Sequence, residues 1–153
     1  MVALLVCLPS LWPQSPTNER LTVGQPTKVT GKRGETVHAR IPISILPGYH
    51  VNSNTPSEDY LIPLALKWTP ATLGALEGGE VVYPKATSEK YSFAEKPLSV
   101  YTGNFEMSVT FKVSATAAAG PGVAVGKLTY QACNDRSCFP PKTVEVSVPY
   151  AVQ

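Results

Sequence analysis

Apolar and polar residues alternate along most of this chain. In TVHARIPISIL (Thr36–Leu46), Val37, Ala39, Ile41, Ile43 and Ile45 fall at every second position, the period of a strand with one buried face. FEMSVTFKVS (Phe105–Ser114) repeats the pattern with Phe105, Met107, Val109, Phe111 and Val113. YLIPLALKW (Tyr60–Trp68) reads as a further strand in which Pro63 implies an edge or a bulge. EVVYP (Glu80–Pro84), VAVGKLTYQAC (Val123–Cys133) and KTVEVSVPY (Lys142–Tyr150) complete the set. LPGY, EGGE, YTGN and AAGPG supply turns between them. Only PATLGALEG, near Ala71–Glu77, has room for a helix, of one or two turns.

Seven to nine short strands, with no internal repeat and no linker, predict an all-β fold. The best fit is an immunoglobulin-like antiparallel β-sandwich with a cysteine-bearing hairpin near its end. Fifteen prolines and eleven glycines in 153 residues interrupt the chain too often for long helices. The length suits one domain with a real core. A net charge of +2 is too small to mark a nucleic-acid surface. The one basic cluster, GKRGE (Gly31–Glu35), reads as a turn. No hydrolase motif and no convincing carboxylate pair is present.

Residues 1–16, MVALLVCLPSLWPQSP, stand apart from the domain expected over 17–153. The apolar run Val2–Leu8 followed by Pro, Ser and Gln resembles the end of a secretory signal and its cleavage zone, without the basic start. An N-terminal edge strand is the alternative. Loss of a signal would remove Cys7 and leave two cysteines. No other segment approaches the roughly 18 apolar residues of a membrane helix.

Those two cysteines lie in YQACNDRSCFPP (Tyr130–Pro141). Strands flank them, so Asn134–Ser137 forms the loop of a hairpin, and Cys133 and Cys138 can face each other with Cα atoms ~4.5–5.5 Å apart. A disulfide tolerates that distance. As a staple it would do little, because closing six residues removes only roughly 2 kcal/mol of unfolded-state entropy. Arg136 favours a thiolate and Asp135 opposes it. Phe139-Pro140-Pro141 fixes the exit of the loop. Zinc would need two further ligands, and only His38 and His50 are on offer. A redox-active pair, a structural disulfide and a metal clip all remain open on spacing alone.

LTYQACNDRSCFPPKTVEV resembles the region around the active cysteines of the N-terminal periplasmic domain of DsbD, the transmembrane thiol reductant conductor. The shared signature is a strand ending Tyr-Gln-x-Cys, a polar loop, then Cys, an aromatic residue and Pro-Pro. GYHVNSNTP (Gly48–Pro56) and VVYPKATSEKYSF are similar to further segments of that family, and the resemblance spans roughly Val23–Val148. It implies an immunoglobulin-like domain that relays electrons through a reversible Cys133–Cys138 disulfide, without a cofactor or a metal, as a component of a protein-disulfide reductase. Cys138 would form the mixed disulfide with partners and Cys133 would resolve it. A cap loop would shield the pair, matched here by Val82–Lys85, with Tyr83 the best candidate to cover the sulfurs and Tyr49 and Phe139 lining the site. The implied donor is a membrane-embedded thiol reductant conductor. The implied acceptors are thioredoxin-like periplasmic proteins, a disulfide isomerase or a cytochrome c maturation thioredoxin. The domain is expected to be periplasmic and monomeric. The cysteine loop is shorter by one residue than in the best-known members. No membrane helices or CxxC domain follow, so the chain is expected to be either a piece of a larger protein or a free-standing relative with a separate donor.

Overall fold

A computed structural model of the chain describes residues 19–153, so the expected signal segment and Cys7 lie outside the described residues. The described residues form twelve strands and one 3-10 turn. β1 (Leu21–Val23), β3 (Thr36–Ile45), β9 (Asn104–Val113) and β6 (Leu76–Val82) make one sheet in the order β1-β3-β9-β6. β2 (Val29–Gly31), β12 (Lys142–Val152), β10 (Gly120–Tyr130) and β5 (Ala65–Trp68) make the second, in the order β2-β12-β10-β5. Two packed sheets with this connectivity are the immunoglobulin arrangement. All pairs are antiparallel except β2 with β12, which run parallel.

The alternation read from the sequence sets the core. On β3, Val37, Ala39, Ile41, Ile43 and Ile45 are all buried, and on β9 so are Met107, Val109, Phe111 and Val113. Phe105 is only half-buried and its ring lies tilted against Tyr101. Ala124, Leu128, Val146 and Val148 answer from the second sheet. Each side chain of Val or Ile size contributes about 1.5–3 kcal/mol by leaving water. GKRGE is indeed the turn between β2 and β3, where Arg33 Nε donates to the Ala117 carbonyl.

Several expected boundaries move. The strand expected from Tyr60 begins only at Ala65, because Pro63 has no amide to offer a ladder. The expected helix shrinks to the 3-10 turn Pro70–Thr72. The sequence that follows enters β6, which carries an irregularity at Gly78–Glu80.

At one end of the sandwich the chain builds a third sheet, β11-β4-β8-β7, from β11 (Ala132–Cys133), β4 (His50–Asn52), β8 (Leu98–Tyr101) and β7 (Thr87–Glu89). Three of its strands extend sandwich strands past a break: β4 follows β3 after Leu46–Tyr49, β8 precedes β9 across Thr102–Gly103, and β11 follows β10 after Gln131. Gly48 (φ 84°) and Gly103 (φ 63°) take left-handed conformations at the first two breaks, which side chains disfavour. The cysteine hairpin therefore departs from expectation: β10 pairs with β12 only as far as Tyr130–Lys142, and β11 turns aside to pair with β4.

Candidate functional site

Cys133 and Cys138 are joined by a disulfide, with Cα atoms 3.9 Å apart. They form an antiparallel bridge. The Phe139 amide donates to the Ala132 carbonyl (2.9 Å) and the Asn134 amide to the Ser137 carbonyl (3.0 Å). With those bonds outside them, the cysteines occupy a narrow, non-hydrogen-bonded site, the closer kind of cross-strand pair. This explains a spacing below the expected one. Asn134 holds the loop by accepting from the amides of Arg136 and Ser137 at 2.9 Å each. The two cysteines are not equivalent: Cys133 is fully buried and Cys138 half-buried.

Cys138 packs on a small apolar cluster, separate from the sandwich core, made by Leu61, Ala94, Leu98 and Val100. Tyr91 and Phe93 pack on the same cluster. Their segment is tied to the cysteine loop by Ser92 Oγ, which donates to the Asp135 carbonyl at 2.7 Å. It is closed on itself by Lys90 Nζ, which donates to the carbonyls of Ala94 (2.6 Å) and Glu95. The aromatics that share this cluster with Cys138 are thus Tyr91 and Phe93, whereas Val82 and Tyr83, of which Tyr83 was expected over the sulfurs, lie elsewhere. Val82 lies exposed on β6. Tyr83 packs on the sandwich core, and its hydroxyl accepts from the Leu66 amide at 2.9 Å. Tyr91 and Phe93 lie in the YSF sequence, whose aromatic-polar-aromatic alternation was the available signal.

Tyr49 and Phe139 do come together on the flank of the site, with ring centroids 5.9 Å apart. The Arg20 guanidinium lies over the Phe139 ring at 3.7 Å and near Tyr49 at 5.3 Å, a cation–π arrangement. Beneath them Gln131, the second residue of Tyr-Gln-x-Cys, joins three segments. Its Oε1 accepts from Asn52 Nδ2 (3.0 Å) and from the Ile62 amide (3.1 Å), and its Nε2 donates to the Phe139 carbonyl (3.3 Å). Gln131 thus fixes the exit of Cys138 against β4.

His50 is opposite Cys133 in the β4–β11 pairing. It is 2% exposed, its ring stacks on Tyr91 with centroids 3.9 Å apart, and its Nε2 has no hydrogen-bond partner. Burial lowers its pKa to about 4, so it is neutral at physiological pH. The Tyr91 hydroxyl is pushed above its ordinary value by burial and then by the charge of Glu89. A groove of about 450 Å³ opens here between Tyr49, His50, Tyr91, Thr102 and Asp135. His38 lies elsewhere, on β3, beside Thr110 Oγ1 at 3.1 Å. Among the described residues no three or more His, Cys, Asp or Glu side chains are grouped as metal ligands, and no helix is long and apolar enough to cross a membrane.

Residues 17–149 match the family described as thiol:disulfide interchange protein DsbD, N-terminal. No curated protein matches the chain. Among solved structures it is similar to the N-terminal periplasmic domain of ScsB from Proteus mirabilis, with a TM-score of 0.59 at 14% identity over 90% of this chain and 49% of that one. The chain therefore spans about half of that relative's length, and the likeness is one of fold. It is also similar to the reduced DsbD N-terminal domain of Neisseria meningitidis, with a TM-score of 0.43 at 22% identity over 75% of this chain and 82% of that one.

Proposed function

We propose, from the premise that this chain belongs to the family of DsbD N-terminal domains, that it relays electrons in the periplasm through a reversible Cys133–Cys138 disulfide. Its partners on this reading are thioredoxin-like proteins, with a membrane-embedded thiol reductant conductor as donor. The carrying observation is the placement of the disulfide. It closes a six-residue hairpin outside the sandwich core, with Cys133 buried and Cys138 half-exposed beside a cluster on which Tyr91 and Phe93 also pack. Such a bond adds little stability, so it can open and close while the fold stands.

The asymmetry of burial supports the division of labour. In the reduced domain the Cys138 thiolate attacks the disulfide of an oxidised partner. A Cys138–partner bond forms and the partner's second sulfur leaves as a thiolate. Cys133 then attacks Cys138 Sγ; the intramolecular disulfide forms, the partner's first sulfur departs, and two electrons have passed to the partner. The reverse sequence recharges the domain from its donor. Release of the Ser92–Asp135 bond would let the Tyr91–Phe93 segment move off the cluster beside Cys138 and widen a partner's approach. Tyr49 and Phe139 then present an apolar flank beside the sulfur.

The test is an equilibration against a glutathione or dithiothreitol series with thiol trapping. A potential of roughly −270 to −180 mV supports a relay, and one well below about −300 mV marks a structural bond and refutes the proposal. With an oxidised thioredoxin as acceptor, Cys133→Ala accumulates the mixed disulfide while Cys138→Ala forms none. The opposite pattern would reverse the assignment of the two sulfurs.

A further inference from the structure

His50, Cys133 and Cys138 occupy consecutive positions across two adjacent strand pairings: His50 opposite Cys133, and Cys133 opposite Cys138. Residues opposite each other in an antiparallel ladder project to the same side. The imidazole and the two sulfurs therefore share one face, and Tyr91 covers the imidazole. In this oxidised state His50 Nε2 is a buried polar atom without a partner, an arrangement native proteins rarely keep without a reason.

Reduction supplies the missing partner. Opening the disulfide takes two electrons and two protons and yields two thiols. The Cys133 thiol is made where water does not reach, since that residue is 0% exposed. We infer that His50 Nε2 accepts a hydrogen bond from the Cys133 thiol in the reduced domain, so that His50 favours the dithiol over the disulfide. A neutral imidazole with its proton on Nδ1 offers Nε2 as an acceptor, and burial keeps this histidine neutral. The orphaned nitrogen of one redox state thereby becomes the acceptor of the other. His50 acts here as a positioning residue for the thiol proton. The inference rests on Cys133–Cys138 being the reversible pair.

Two measurements test it. Long-range proton–nitrogen spectra of the wild-type His50 ring, taken oxidised and after dithiothreitol reduction, should show a bare Nε2 in both states. Its resonance should move on reduction, and it should stay in the oxidised position in Cys133→Ala. A proton on Nε2, or a resonance that ignores reduction, would overturn the inference. In the glutathione equilibrium, His50→Phe should shift the ratio roughly fivefold toward the disulfide, as expected for losing one ordinary hydrogen bond, or about 20 mV for a two-electron couple. An unshifted ratio would count against it equally. Should glutathione and reduced thioredoxin leave the wild-type disulfide closed, the relay reading fails, while the ring spectra after chemical reduction still decide the role of His50. A working relay with an unmoved Nε2 would sink the role of His50 alone.

Discussion

Acidification should destabilise this domain chiefly through His50. Its folded pKa of about 4 lies below the ordinary 6.5, so between those values the unfolded chain binds a proton that the folded one refuses. Stability therefore falls as pH drops from about 6.5 toward 4 and, for this group, levels off below. The full shift corresponds to about 3 kcal/mol, of which about 2 kcal/mol is gone by pH 5. The groups facing the ring do not compete in this window. Tyr91 is pushed up from an already high value, and the disulfide does not titrate. Urea unfolding followed by circular dichroism at pH 7.5 and pH 5 would measure the loss in wild type and in His50→Phe. The aromatic replacement keeps the stack on Tyr91 and removes the titrating nitrogen, so its loss between the two pH values should be less than about 0.5 kcal/mol. Parallel losses in the two proteins would refute the reasoning, because the acid sensitivity would then arise elsewhere.

Three further outcomes are expected. Reduction should leave the sandwich folded and lower its unfolding free energy by no more than about 2 kcal/mol, the loop-closure value for six residues; calorimetry of the reduced protein showing no transition would contradict this. Gln131→Leu leaves Asn52 Nδ2, the Ile62 amide and the Phe139 carbonyl without their partner and should cost about 2–3 kcal/mol, read as a lower urea midpoint. Ser92→Ala removes the tie to Asp135 and should speed reduction by dithiothreitol about two- to tenfold with little change in stability; an unchanged rate would mean that this segment does not gate the sulfurs.

The sandwich was legible because its strands bury one face each. The period of two in β3 and β9 is a direct imprint of that burial, and the structure buries the residues the pattern named, apart from Phe105. The third sheet was not legible. β4, β7, β8 and β11 are two to four residues long, too short to show any period, and they exist because longer strands break and deflect at one end. YLIPLALKW misled for the same reason, since its apolar Leu61 serves the small cluster beside Cys138 while Leu64 and Leu66 serve the sandwich. Loop length allowed the cysteine pairing without deciding it, and it gave no hint of the aromatics around it. Tyr83 and Tyr91 are both aromatic residues before β8, and only the fold shows that one points into the sandwich core while the other stacks on His50.

The division between the sandwich and the third sheet at its end bears on what the disulfide can do. A redox pair embedded in the main core would couple each turnover to repacking, because interiors packed at crystal density do not yield locally at low cost. Here Cys138 touches a cluster of four buried apolar residues rather than the main core, and Gln131 anchors the strand behind it by side-chain hydrogen bonds that breaking the S–S bond leaves in place. Residues 90–95 are closed on themselves by Lys90 and joined to the cysteine loop by the Ser92–Asp135 bond, worth about 1 kcal/mol net, while Ala94, Tyr91 and Phe93 pack on the small cluster and Tyr91 stacks on His50. On the proposed relay reading, breaking and remaking the S–S bond would therefore disturb the small cluster and leave the sandwich as a rigid base.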